Sequence, residues 1–381
     1  MAKKVIVGMS GGVDSSVSAL LLKERGYDVV GVYMKNWSKD LPGMKCPWAE
    51  DLADAKRVAV KLGIDFEVWD FEEAYREKVV EYMLKEFRAG NTPNPDIMCN
   101  QEIKFKLFYE KAMERRADYI ATGHYARVFR QEDNTGHLLA RAVDENKDQT
   151  YFLYRISEEA LAHTIFPIGE ITKPEVKKLG KEKGLHNAYK KESMGVCFVG
   201  EVGMKDFLKE YIDIRPGEIR EIESEKVLGY HEGAIFYTIG QRHGLYLTGI
   251  AGEVNDGLPY YVVKKDIKNN IVYVSKNLNN EHIWAKRLEL ADVILRTGPV
   301  ATDSPTVLGM RLRAAGVPPV APPVHVEVRL RHRAPLIPAK MTLSEDGAAT
   351  LEFEKEVKRP AAGQSAVIYD GEICLGGGII Q

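Results

Sequence analysis

The feature that most constrains this chain stands near its start: the short apolar run VIVGM (residues 5–9) enters SGGVDSS (residues 10–16) and passes straight into the helical stretch VSALLLKERG. A strand that turns on paired glycines into a helix is the opening step of an α/β sheet. Gly11 and Gly12 carry no Cβ, so the backbone turns tightly and gathers several N–H donors around one point. The helix aims the positive end of its dipole at the same point. Hydroxyls of Ser10, Ser15 and Ser16 add donors, and Asp14, of the wrong sign for a phosphate, suits a magnesium ion bridging phosphates. An Asp/Ser N-cap after a glycine turn is the plainer reading. Strand, two glycines, clustered hydroxyls and helix together favour a loop that holds a nucleotide's phosphates. No Gly-Lys-Ser/Thr follows, and the dinucleotide spacing GxGxxG is absent.

SGGVDSS resembles the pyrophosphate loop of the ATP pyrophosphatases, which cleave ATP between the α and β phosphates, adenylate a substrate and release pyrophosphate. The loop alone does not choose among the GMP, NAD and argininosuccinate synthetases and the tRNA thiolation enzymes.

Composition sets further bounds. With 381 residues, 45% of them hydrophobic, the chain can bury sizeable cores and divide into two or three domains. Lys and Arg total 53 against 55 Asp and Glu, so nucleic acid can be attracted only by local patches. MAKKVIVG enters the first strand at once and no long apolar run follows, which leads us to expect a cytoplasmic protein without a membrane span. Cys46, Cys99, Cys197 and Cys374 form no CxxC pair, against a zinc ribbon or a disulfide scaffold.

Along the first half, strand-like DVVGVYM and IDFEVWD alternate with helical AEDLADAKRVAVKLG and EEAYREKVVEYMLKEFRAG, as a doubly wound, mostly parallel sheet requires. Ligands in such sheets gather beyond the carboxyl ends of the strands, placing the loop, Met34 and Gly123 around one crevice. In NTPNPDIMCN, Pro93 and Pro95 predict a loop, with Cys99 exposed among Asn94, Asp96 and Asn100. GAIFYTIGQRHGLYL, PYYVVKKD and NIVYVS read as glycine-punctuated short strands. HVEVRLRHR, MTLSEDGAATLEF and SAVIYDGEICLGGGIIQ read as a C-terminal antiparallel β-barrel, with VPPVAPPV as a stiff loop inside it. The expected division is residues 1–215 (part of 165–197 packing with the next unit), a small central domain at 216–280, and a barrel at 281–381.

TPNPDIMCNQEIKF, GHYAR, DQTYFLY, ESMGVCFVG, FYTIGQRHGL and GQSAVIYDGEICLGGGII, in that order, closely resemble the tRNA-specific 2-thiouridylase family, which replaces the C2 oxygen of the wobble uridine of certain tRNAs with sulfur. The resemblance implies ATP contacts at Gly8, Met9, Ser10, Gly11, Gly12, Val13, Asp14, Ser15, Met34 and Gly123. It implies Cys197 as persulfide carrier, Cys99 as its partner nucleophile, and a Cys99–Cys197 disulfide to be reduced each cycle. Asn94, Pro95 and Asp96 would hold the unstacked target base, Asp96 also as acid or base; an Asx turn is its plainer role. Lys147, Asp148 and Gln149 match a tRNA-contacting segment, and Arg331 and His332 align with a family Arg-Tyr pair. The residues themselves present Arg329, Arg331 and Arg333 as a basic stripe on one strand face, and Lys173, Lys177, Lys178, Lys181 and Lys183 as a solvated helix face suited to tRNA or a sulfur donor. Implied partners are the anticodon loop of tRNA and a sulfur-carrier protein or cysteine desulfurase, acting on a monomer. A pyrophosphatase of another substrate and a catalytically silent nucleotide- or RNA-binding protein are the alternatives; the intact loop and both cysteines stand against the latter.

Overall fold

A computed structural model describes residues 2–40, 46–130, 136–190, 203–247, 258–277, 279–280, 282–296, 323–344 and 347–381. Its first half supplies strands β1 (Lys4–Gly8), β2 (Asp28–Lys35), β3 (Asp65–Asp70), β4 (Tyr119–Ala121), β5 (Arg127–Arg130), β6 (His137–Ala140) and β7 (Thr164–Ile165). Five of them form a parallel sheet in the order β3-β2-β1-β4-β7. Alternate residues of β1 go to opposite faces. Val5 and Val7 join Val17, Ala55 and Val58 under helices α1 (Val13–Glu24) and α2 (Trp48–Leu62), whereas Ile6 joins Val79, Met83, Ile103 and Phe108 beneath the other layer. The chain leaves β1 toward β2 on one side and returns as β4 on the other, so the crevice opens at the end of β1. Gly8 and Gly123 border it.

Strands β8 (Gly217–Glu221), β9 (Val227–His231), β10 (Tyr261–Asp266) and β11 (Ile271–Ser275) make a second sheet, ordered β10-β11-β8-β9. GAIFYTIGQRHGLYL is not a strand of it. Gly240 and Gly244 take φ of +81° and +74°, so the segment folds as a 3₁₀ turn (Ala234–Phe236) and loops, with one isolated bridge from Leu247 to Gly229.

The third sheet runs β12 (Trp284–Leu295), β13 (Val324–Arg329), β14 (Ile337–Leu343), β15 (Ala349–Lys358), β16 (Ser365–Asp370) and β17 (Ile373–Ile380), all antiparallel, in the order β12-β15-β14-β13-β16-β17. Pairing of β12 with β17 closes it into a barrel. Closure needs glycine: a Cβ on Gly376, at φ +138°, would lie 2.0 Å from the Ile294 carbonyl oxygen. The β5–β6 hairpin departs from the expected division of the chain. It leaves the parallel sheet and adds to the barrel at β17, Ala140 opposite Ile373.

Residues 148–155 weld the two units. Asp148 is fully buried and accepts from Thr150 Oγ1 at 3.0 and 2.9 Å and from Arg329 Nη1 of β13 at 2.5 Å. Tyr151 donates to the Ser365 carbonyl at 3.0 Å, Thr150 meets the Tyr369 hydroxyl at 3.0 Å, and Arg155 Nη2 pairs with Asp292 at 2.6 Å. This corrects two surface readings. Asp148 is the counter-ion of a barrel arginine, not a group offered to tRNA. Arg329 is buried with it, and the chain leaves β13 there, so Arg331 and Arg333 stand exposed in a turn and share no strand face with it. His332 is half-buried in that turn, its ring 4.6 Å from Phe152, and burial followed by Arg333 pushes its pKa down to about 4. It packs inward, and the expected base-stacking role has no support from that geometry. Among the described residues, no helix is long and apolar enough to cross a membrane. Residues 317–322 of the proline-rich segment lie outside the described residues.

Replacing Arg329 by Met should cost about 3–5 kcal/mol, because it leaves the Asp148 carboxylate buried and unpaired. Asp148→Asn added to Arg329→Met should recover much of that loss, as read by chemical denaturation of the barrel's signal.

Candidate active site

The phosphate loop follows from its glycines. Gly11 holds φ at +78°, and a Cβ there would strike the Asp51 carbonyl oxygen at 2.4 Å. Gly12 is the N-cap of α1 and has no side chain to cap it, which leaves the first-turn N–H groups to an incoming anion. The serines brace the loop from inside. Ser15 and Ser16 are buried and donate to the Gly12 carbonyl at 3.1 and 2.9 Å, while the Ser10 N–H donates to Ser15 Oγ at 3.1 Å. Ser10 alone of the three is exposed, so the buried hydroxyls shape the turn instead of adding donors to a ligand.

The expected crevice residues do meet. An ideal Cβ on Gly8 would lie 2.8 Å from Met34 Cε and 3.7 Å from Phe108 Cζ, and one on Gly123 would lie 2.6 Å from the Ser15 nitrogen. Met9 is buried and its N–H donates to the Val32 carbonyl at 2.8 Å; Val13 is buried in the first turn of α1. Gly123 thus lets the end of β4 close on the loop, where a side chain would meet the Asp14 and Ser15 backbone, while Gly8 leaves room for the tip of Met34.

Asp14 has a role that local sequence does not reveal. Lys173 reaches both its carboxylate oxygens at 2.7 Å, and the Tyr125 hydroxyl donates to one of them at 2.9 Å. Lys173 is buried, not part of the solvated helix face expected for it, because it starts the Lys173–Glu182 helix directly against the loop. Asn187 completes the closure, donating to the Gly11 carbonyl at 2.8 Å and to Ser16 Oγ at 2.9 Å. With both oxygens so engaged, Asp14 does not fit a magnesium ligand. No cluster of three His, Cys, Asp or Glu side chains suited to a metal occurs among the described residues.

The second group begins at Asn94. Residues 93–99 are not the predicted loop. Asn94 Oδ1 caps the N–H groups of Asp96 and Ile97 at 3.2 and 3.4 Å, Pro95 takes the first helical position, and the helix Pro95–Met98 continues as a widened helical run from Cys99 that kinks at Phe105 (φ −105°, ψ 15°) before Leu107. Proline is well suited to that first position, since its missing N–H has no intrahelical partner there. Cys99 is therefore helical and 3% exposed, contrary to the exposed thiol expected. Burial raises Asp96 above the usual carboxylate range, and Lys104 partly offsets this. The same helical run carries Phe105, whose ring is 5.8 Å from that of His124, and leads to Phe108 against Gly8. It connects the Asp96–Cys99 end to Phe108, twelve residues beyond Asp96, through the break in helical geometry at Phe105. His124, which sequence reading passed over within GHYAR, is held by Thr122 Oγ1 at 2.8 Å, and burial, then Lys104, keeps it well below the ordinary imidazole range.

Cys197 lies outside the described residues. Cys374 is fully buried, its thiol pushed up to about 12 by burial, as the expected small core hydrophobe would be. Cys46 is half-buried, and its N–H donates to Asp40 Oδ1 at 2.8 Å. Lys147 is half-buried, while Gln149 turns inward and accepts from the Tyr125 N–H at 2.9 Å.

Comparison with known proteins decides the family. Residues 3–201 match the tRNA methyl transferase HUP domain, 205–276 the tRNA methyl transferase PRC-barrel domain and 313–380 the aminomethyltransferase beta-barrel domain. The chain is 45% identical over 384 residues to the tRNA-specific 2-thiouridylase MnmA of Idiomarina loihiensis, covering 100% of this chain and 96% of that one. It is 45% identical over 379 residues to tRNA-specific 2-thiouridylase MnmA 1 of Geobacillus kaustophilus, covering 100% and 95%. The chain belongs to the tRNA-specific 2-thiouridylase family. For a 2-thiouridylase the unforeseen residues are Lys173, Tyr125 and Asn187. Their partners lie 159, 111 and 176 positions away in sequence, so no local pattern could announce them.

Gly123→Ala should lower the melting temperature by a few degrees and, well below that transition, lower ATP-dependent pyrophosphate release at least tenfold, because the added methyl displaces the Ser15 end of the loop. Pyrophosphate release at the parent rate would contradict the role given to that close approach.

Proposed function

We propose that this chain is an ATP-dependent tRNA 2-thiouridylase that activates the C2 oxygen of a wobble uridine as an adenylate and replaces it with sulfur from a cysteine persulfide. One observation carries the reading. A glycine-walled loop at the end of β1, and a helical run that starts at the Asn94 cap, passes Asp96 and Cys99 and reaches Phe108 against Gly8, support it in a chain of the 2-thiouridylase family along its whole length.

A uracil C2 carbonyl is a poor electrophile and oxide cannot leave. Adenylation answers both: the C2 oxygen attacks the α-phosphate, the bond to the β-phosphate breaks, and pyrophosphate departs. The open N–H groups of α1 and the loop offer fixed dipoles to the charge that develops on the departing phosphates. Lys173, neutralised by Asp14, keeps the loop's own carboxylate from repelling them. Magnesium accompanying ATP would be carried by the phosphate oxygens.

Sulfur then arrives on Cys197, loaded by a relay from a cysteine desulfurase or sulfur-carrier protein. In one route the terminal persulfide sulfur attacks C2 and AMP leaves; Cys99 thiolate next attacks the Cys197 sulfur, breaking the S–S bond and releasing 2-thiouridine. In the other, Cys99 attacks first, frees hydrosulfide, and hydrosulfide displaces AMP. Both end with a Cys99–Cys197 disulfide that an external thiol reduces. Asn94, Pro95 and Asp96 border the target base, with Asp96 exchanging a proton there. Its raised pKa brings that exchange nearer neutrality. The exposed Arg331 and half-buried Lys147 remain the tRNA contacts; Asp148 and His332 serve packing.

Cys197→Ser should abolish 2-thiouridine while tRNA-dependent pyrophosphate release persists, as read by nucleoside mass analysis beside a pyrophosphate assay. Thiouridine formed by that variant from a persulfide donor would overturn the sulfur route. If Asp96 acts as its carboxylate, the rate falls as pH drops through its raised pKa. Asp96→Asn should then lower thiolation on the order of a hundredfold and erase that acidic limb.

A further inference from the structure

Away from the crevice, a cleft of about 330 Å³ opens where the end of the helix Glu81–Arg88, the second sheet and the barrel's margin meet. Gly90, just beyond the helix Glu81–Arg88, forms one wall. Lys264, Lys265 and Ile267 of β10 and its turn form another, and His282 and Arg359, which flank the barrel, form the third. The walls are in firm contact: a Cβ on Gly90, at φ +87°, would lie 2.5 Å from Ile267 Cγ1.

Its charge is one-sided. Lys265 donates to the Gly90 carbonyl at 2.8 Å and, among the described residues, has no carboxylate in ion-pair range. Burial alone pushes its pKa down to about 8, the sign of a cation enclosed without a counter-ion. Arg359 Nε is buried and has no acceptor among the described residues. Asp266, which acts on Lys264 through space, is already held by the Asn269 N–H and side-chain amide at 2.9 and 2.8 Å. A buried donor without an acceptor is costly, and an anion in the cleft would satisfy Arg359 Nε and supply Lys265 with a counter-ion.

The cleft is also fixed relative to the base site. From Gly90 the chain passes Thr92, whose N–H donates to the Ala362 carbonyl at 2.8 Å and whose carbonyl accepts from Gln364 at 2.6 Å, and reaches the Asn94 cap and Asp96. Gly90 and Asp96 are six residues apart, so the two sites lie within about 20 Å, the reach of a few nucleotides.

We propose that this three-way cleft is a phosphate subsite in which Lys265 and Arg359 hold a tRNA backbone phosphate near the target uridine, setting where the anticodon loop lies over Asp96. The assignment rests on the thiouridylase reading and names a binding surface for its substrate. Lys265→Gln and Arg359→Gln should each weaken undermodified tRNA binding about three- to tenfold, and the pair should lower the slope of log K against log salt by about one. ATP KM at saturating tRNA should not change. As a second measurement, tRNA should protect Lys265 of the parent protein from acylation, read by peptide mass analysis, whereas inorganic phosphate at millimolar concentration should not. Parent-like affinity and salt slope in the double variant would overturn the subsite, as would protection by inorganic phosphate without protection by tRNA. A parent protein that neither binds tRNA nor forms thiouridine would instead contradict the thiouridylase reading itself.

Discussion

The structure around the nucleotide crevice depends on the ion pair between Asp14 and Lys173. Asp14 stands in the first turn of α1, where a carboxylate suits the helix dipole but would repel phosphates. Lys173 arrives from a helix much later in the chain and takes both carboxylate oxygens at 2.7 Å. The pair is tied outward step by step. Tyr125 donates to Asp14, the Tyr125 N–H donates to Gln149, and the neighbouring Asp148 holds Arg329 of the barrel. Loop, strand end and barrel are thereby held in one arrangement before substrate arrives, which is what electrostatic stabilisation of a departing group requires.

The loop has no P-loop lysine in sequence, yet a lysine stands against it in space. It takes both oxygens of the loop's own carboxylate, and under the proposed function the uncapped first-turn N–H groups of α1 are the anion donors. This suits an enzyme that cuts between the α and β phosphates and must hold the departing pyrophosphate without reaching for the terminal phosphate. The second half of the site is built by a different device: Asn94 and Pro95 start a helix abruptly, so Asp96 sits at its first turn and Cys99 one turn further in.

What was legible in the sequence was local. VIVGM-SGGVDSS-VSALLL specifies strand, turn and helix by adjacent residues, and the alternating C-terminal segments specify barrel strands. Met34 and Gly123 follow from the rule that ligands gather at strand ends; the structure sets Met34 against Gly8 at the end of β1 and Gly123 against Ser15. Readings failed where a distant partner decides burial. Asp148, Arg329 and Lys173 are charged residues in charged stretches, and each is buried by an ion pair across the fold. The prolines near Cys99 misled for another reason, since proline ends a helix in its interior but begins one at its first position. The β5–β6 hairpin looks like a continuation of β4 and belongs to the barrel instead, because its edge pairs with β17.

The central claim is that the crevice joins the C2 oxygen of a uridine to the α-phosphate of ATP before sulfur replaces it. The most direct measurement is a turnover with undermodified tRNA carrying ¹⁸O at C2 of the wobble uridine, followed by mass analysis of the AMP and pyrophosphate. The label should appear in AMP, with none in pyrophosphate or water. AMP free of the label, accompanied by 2-thiouridine, would contradict it.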